Sequence, residues 1–154
     1  MDWAAVALIG LSCLIVGACL GMLVMNGQPD LSSYNRVLEF HEKFGHPHPD
    51  QPTTLTDNRS KLRVDLIQEE LNEYKDAVWA NDIVAIADAL ADLDYVVNGA
   101  AIEHGIWLPV VTAEVHRSNM TKLGTDGKPI YREDGKILKG PGYEPPRIAE
   151  LFGK

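Results

Sequence analysis

From Asp57 to Gly105 the chain reads as two long helices separated only by Asn81-Asp82. A helical hairpin of that length has to bury a face along much of its course. Asp57 serves as the cap of the first, which covers roughly residues 58–79, and the second runs over roughly 83–104 before Gly105 stops it. Upstream, Ser32 or Ser33 caps a helix that reaches Phe44, with Val37, Leu38, Phe40 and Phe44 as its apolar positions. Gly45 ends it, and Pro47, Pro49 and Pro52 keep the next stretch extended. Downstream, Pro109 opens a fourth helix that reaches Lys122 and stops at Gly124. Asp134-Gly135 then sits between two short apolar-containing runs, a two-residue hairpin signal, and Pro141, Pro145 and Pro146 lead to a short helical end. The class is all-α: a four-helix core over 34–123 with a hairpin and Pro-rich tail over 124–154.

The chain has 154 residues, enough for one domain with a real core. Its net charge of −8 counts against a nucleic-acid partner, which needs a basic footprint. A nucleotide substrate is still compatible with that balance, because a bound cation inverts the local charge logic. Cys13 and Cys19 are the only cysteines and both precede the core, so neither a disulfide framework nor a cysteine zinc site is expected there.

Residues 1–26 form a separate apolar segment, joined to the core by a turn-rich linker over 27–33. Trp3 to Met25 is 23 positions without a charge. As a helix it would reach roughly 34 Å, against a hydrocarbon core of about 30 Å. Gly17 and Gly21 form a GxxxG pair, which permits close helix approach. A membrane anchor is expected, with a cleaved leader or a true start at Met22 or Met25 as the alternatives. Arg36 and Lys43 after the span, with no Lys or Arg before it, place the core in the cytoplasm at the inner membrane face.

The chemistry-bearing residues lie on the two long helices. Leu62, Leu66, Glu69 and Glu73 share one stripe at 100° per residue, with Glu70 at its edge. On the next helix Ile86, Leu90, Leu93 and Val97 take one face, and Val84, Ala91, Tyr95 and Ile102 the opposite one. A helix apolar nearly all round is expected to be buried, yet Asp88 and Asp92 lie one turn apart on that second face. Salt bridges to Lys61, Arg63, Lys75 or Arg117 would be the purely structural solution. Otherwise so many acids raise one another's pKa values or require a cation. Oxygen-only donors suit Mg²⁺ or Mn²⁺. On the fourth helix His116, Asn119 and Lys122 follow one another at i, i+3 spacing, a set suited to phosphate and base contacts. Lys128, Tyr131 and Arg132, with Lys139, lie in the hairpin, either closing over the same ligand or forming a solvated ribbon.

The pattern Glu69-Glu70-x-x-Glu73, followed by Ile86-Ala-Asp-Ala-Leu-Ala-Asp-Leu-Asp-Tyr95, resembles the MazG-like all-α NTP pyrophosphatases, which include phosphoribosyl-ATP pyrophosphohydrolase. Phe40-His-Glu-Lys-Phe-Gly45, Glu114-Val-His-Arg-Ser-Asn-Met-Thr-Lys-Leu-Gly124 and the tail from Asp126 to Tyr143 are similar to a bacterial and phage subgroup. The resemblance implies a bundle completed by dimerisation or a dimer of dimers, Mg²⁺ dependence, and cleavage of a nucleoside triphosphate between its α- and β-phosphates. It further implies that Glu69, Glu70, Glu73 and Asp92 are catalytic and hold metal with Asp88, the substrate being a deoxynucleotide such as dGTP. One departure is Ala89, which stands where the family's ExxD motif has its glutamate. The rival expectation is a membrane-tethered helical interaction module, or a nucleotide sensor without turnover.

Overall fold

The structure, a computed structural model, describes residues 32–153. The apolar segment and most of the linker lie outside the described residues. Among those described, no helix is long and apolar enough to cross a membrane.

The fold is all-helical. Four helices carry it: α1 (Ser33–Phe44), α2 (Asp57–Ala80), α3 (Ile83–Glu103) and α4 (Leu108–Met120), followed by the single turn α5 (Ile148–Leu151). α2 and α3 form the most extensive pair, α1 lies on α3, and α4 meets α3 only at its margin. The turn between α2 and α3 is built by the two residues that break the sequence pattern. Asn81 takes the left-handed conformation, with φ 55°. Such a conformation suits Asn better than most side chains. Asp82 caps α3 by accepting from the backbone N–H groups of Val84 and Ala85 at 3.0 and 3.1 Å.

Two boundaries differ from the sequence expectation. Asp57 lies inside the first turn of α2 rather than capping it; Thr56 is the N-cap and makes no side-chain cap bond. An acid in the first turn still favours the helix through its dipole. α4 ends at Met120, two residues before Lys122, where the chain turns to meet the tail: Gly140 N–H donates to Lys122 O at 3.0 Å.

The core sits where α1, α2 and α3 meet. Val37 and Ile102 are 1% and 2% exposed, which for aliphatic side chains contributes about 1.5–3 kcal/mol each. Phe44, expected on the apolar stripe of α1, is instead exposed and stacks on Phe40 at 4.3 Å between ring centroids. The same junction buries charge. Glu103 is fully enclosed and pairs with Arg59 and Arg63 of α2. Burial alone would raise its carboxyl pKa, but the two guanidiniums hold it below the ordinary value.

α3 also departs from expectation. Its C-terminal half is buried, through Asn98, Gly99, Ala101, Ile102 and Glu103. Its N-terminal half leaves Ile83, Val84 and Leu90 exposed. An all-round apolar helix therefore reaches beyond the surfaces that the other described elements supply. In the tail, the expected hairpin consists of one antiparallel bridge, Tyr131 with Ile137, around Gly135. No strand forms among the described residues.

Candidate active site

Ala77 of α2 and Ala89 of α3 are 7% and 3% exposed, so the two helices approach closely where neither has a bulky side chain. Around them opens a cleft of about 380 Å³, lined by Glu73, Asp76, Asp82, Ala85 and Asp88 as well as the two alanines. Glu69 and Glu70 lie one turn earlier on α2 and Asp92 one turn later on α3, so all five acids follow the same helix pair. Glu70 is half-buried and the other four are exposed. The Glu70 carboxyl is pushed above the ordinary glutamate value, first by desolvation and then by the charges of Glu73, Asp92, Glu69 and Asp88. Each of the other four acids thus acts electrostatically on Glu70.

None of the five makes an ion pair or side-chain hydrogen bond among the described residues, and three of their four expected basic partners are committed elsewhere. Lys61 pairs with Asp65, Arg63 with Glu103, and Arg117 with Glu114 and Glu144. Lys75 pairs with none of the five. The salt-bridged solution is therefore not the one this fold adopts. The acids also do not form a closed ligand set: among the described residues no three His, Cys, Asp or Glu side chains gather tightly enough to hold an ion. In donor type and uncompensated charge they fit a hard divalent cation, whose oxygen shell also takes in water and substrate oxygens.

The expected substrate-binding residues are not brought to this cleft within one chain. His116 and Asn119 are exposed on α4 and Lys122 is half-buried in the turn after it. No side-chain bond links any of them to the five acids. Lys128 and Tyr131 are exposed in the tail. Arg132 is paired locally with Asp134, Nε donating at 2.9 Å.

Sequence reasoning passed over a second feature. At the junction of α1, α2 and α3, buried His41 and Arg63 line a cavity walled by Phe40, His46 and Tyr95. The available signal was a histidine on the apolar stripe of α1, four residues after Val37 and adjacent to Phe40.

The family description of phosphoribosyl-ATP pyrophosphohydrolase matches residues 37–119, more than half of the chain, from α1 through the end of α4. The chain belongs to that family. It thereby joins the MazG-like superfamily, and the matched span contains all five acids and both His41 and Arg63 of the cavity. An uncharacterized protein of Acanthamoeba polyphaga mimivirus is 32% identical over 117 residues, which are 70% of this chain and 42% of that protein. The chain thus spans less than half the length of that relative. A crystal structure of a proposed NTP pyrophosphohydrolase from Exiguobacterium sp. 255-15 is 27% identical, covering 82% of this chain and 95% of that one, with a TM-score of 0.43. At that score the family membership stands on the match over 37–119, not on the superposition.

Proposed function

We propose that this pyrophosphohydrolase-family chain hydrolyses a nucleoside triphosphate, a deoxynucleotide such as dGTP, to the monophosphate and pyrophosphate, using Mg²⁺ or Mn²⁺. The supporting observation is the set of five unpaired carboxylates along α2 and α3, with Lys61, Arg63 and Arg117 paired to other partners. Glu69, Glu70, Glu73 and Asp92 would hold the cation, and Asp88, lining the cleft a full turn before Asp92, would stand in for the glutamate that Ala89 replaces. When bound, such a cation supplies charge neutralisation of the triphosphate and an attacking water acidic enough to react at neutral pH. One glutamate of the set takes the proton from that water. Lys122 is placed by this reading on the leaving pyrophosphate, and His116 and Asn119 on sugar or base, with Lys128, Tyr131 and Arg132 closing from the tail.

Those contacts require a second chain. Trp79 and Val84 are 74% and 75% exposed on either side of the α2–α3 turn, and Leu71, Ile83 and Leu90 are exposed with them. A stable monomer rarely leaves so much apolar surface to water. We infer a dimer, or a dimer of dimers, in which a partner covers this face and presents its α4 to the acids.

The deciding experiment incubates the full chain with each dNTP and Mg²⁺ and separates products by ion-exchange chromatography. Monophosphate with pyrophosphate is expected. Orthophosphate would assign another hydrolase class, and no product would leave a nucleotide-binding or interaction module.

A further inference from the structure

The turn that follows α4 carries Lys122, and the tail holds that turn at several points. Lys122 O accepts from Gly140 N–H at 3.0 Å, and Gly124 N–H donates to Lys128 O at 2.8 Å. Thr121 Oγ accepts from Glu144 N–H at 2.9 Å and donates to Ser118 O at 2.7 Å. Gly140 is buried, and a Cβ on it would lie 2.3 Å from Leu123 O and 2.8 Å from Lys122 O. Both of those are backbone atoms, which cannot swing aside as the end of a long side chain does. Only a residue without a Cβ lets the two segments come this close.

The same contacts leave the Lys122 ammonium uncommitted. A lysine just past a helix C-terminus is drawn to the last carbonyls of that helix. Here Ser118 O already accepts from Thr121 through both N–H and Oγ, and Asn119 O accepts the Lys122 N–H at 3.2 Å. The acids that meet the tail at this point are engaged as well. Glu114 is held by Arg117, and Glu144 by Arg117 and Arg147. Lys139, next to Gly140, lies over the Tyr143 ring at 4.3 Å. Lys122 is half-buried and its side chain makes no ion pair or hydrogen bond among the described residues. Its backbone is pinned while its charge is free.

We propose that Gly140 is a positioning residue, which sets Lys122 for the leaving pyrophosphate by letting the tail close on the turn after α4. This rests on the hydrolase reading above, which puts Lys122 on that group. An ammonium is a compact charge on a flexible four-carbon stem, so the place of its backbone decides which phosphate oxygens it reaches. A misplacement of about 1 Å can lower a rate about 100-fold. Gly140 itself touches no substrate, and its effect passes through Lys122. Thr121 acts in the same way from the other side of the turn, through Glu144 N–H.

The test uses the full chain with Mg²⁺ and compares Gly140→Ala, Lys122→Met and the two combined. dGTP turnover is measured, together with binding of inorganic pyrophosphate and of dGMP by titration calorimetry. Gly140→Ala and Lys122→Met should each lower kcat and weaken pyrophosphate by about ten-fold or more. The combination should stay within about two-fold of Lys122→Met alone, because one residue acts through the other. dGMP lacks the leaving group and should bind all three variants within about two-fold of the native chain. Thr121→Val removes the Glu144 contact without adding bulk at the close approach, so the test does not depend on Gly140→Ala folding. It should weaken pyrophosphate by about three-fold, again with no further loss on top of Lys122→Met. Losses that multiply in the combined variants, or an equal loss for dGMP, overturn the proposal. Native turnover and pyrophosphate binding in both Gly140→Ala and Thr121→Val remove the positioning role and leave the hydrolase reading. The expected pyrophosphate pattern without dGTP turnover removes the hydrolase reading and leaves the positioning role. A native chain that neither turns over dGTP nor binds pyrophosphate overturns both.

Discussion

The backbone N–H of Arg147 donates to Glu114 Oε1 at 2.7 Å, joining the start of α5 to the middle of α4. Arg117 donates to the same carboxylate from Nε and Nη2, both at 2.8 Å, and reaches Glu144 from Nη1 at 2.9 Å. Ser118 Oγ adds a bond to Glu144 O at 2.7 Å. The tail is therefore fastened through Glu114, Arg117 and Ser118 of α4. These bonds lower the Glu114 carboxyl, chiefly through Arg117 and then through the Arg147 amide, from 4.5 to about 2.

A depressed carboxyl contributes stability that is complete above its unfolded value and lost as pH falls through the folded one. The Glu114 attachment is accordingly complete above about pH 4.5 and released on approaching about pH 2. Carboxyl NMR should give a Glu114 midpoint near 2, with loss of protection at the Arg147 amide over the same range. A midpoint near 4.5 would show that the attachment does not form in solution. Glu114→Gln should make the tail a better protease substrate at neutral pH.

Glu70→Gln and Asp92→Asn should each lower nucleotide turnover by at least about 100-fold, as expected for a cation ligand or proton acceptor. Circular dichroism should be unchanged, because neither side chain pairs with another protein group. More than about a third of the native rate in both variants would remove the acids from the reaction.

Gly105 has φ +63°, and a Cβ there would lie 2.3 Å from Gln51 O. The close approach belongs to a seam in which Thr53 N–H donates to His104 O at 2.9 Å. Gly105→Ala should destabilise the chain by about 1–3 kcal/mol through left-handed backbone strain alone, more with the clash, read from urea denaturation. A change below about 0.5 kcal/mol would mean that the loop moves aside at no cost.

Light scattering of the active protein at micromolar concentration should give a dimer or a multiple of it. Trp79→Glu, on the uncovered face, should shift the population towards monomer and reduce turnover together. A fully active monomer would show that one chain completes the site.

Much of the architecture was legible in the sequence, because glycine, proline and Asn-Asp punctuate it so clearly. Gly45, Asn81-Asp82, Gly105 and Pro109 lie at or beside the helix boundaries found. The acids were legible too, since stripe position follows from spacing alone. What spacing does not reveal is which opposite charges meet across helices. Arg63 looked like a partner for the acidic stripe, yet Glu103, forty residues away in sequence, holds it in the core. The cavity at His41 was hidden for the same reason: its walls come from three helices and the loop after α1. The exposed N-terminal half of α3 was misjudged because apolar periodicity records that a face is apolar, not what covers it.

The turn at Asn81-Asp82 also acts as a phase setting. A helix advances about 100° and about 1.5 Å per residue. One residue added between α2 and α3 would therefore turn Asp88 and Asp92 roughly a quarter of the way around their axis, away from Glu70 and Glu73, with every side chain still in place. The alignment of the two acid rows is thus stored as a residue count in the linker between them. Drift by insertion or deletion at this point could not be compensated gradually; only a change near a whole number of helical turns would bring the rows back into step.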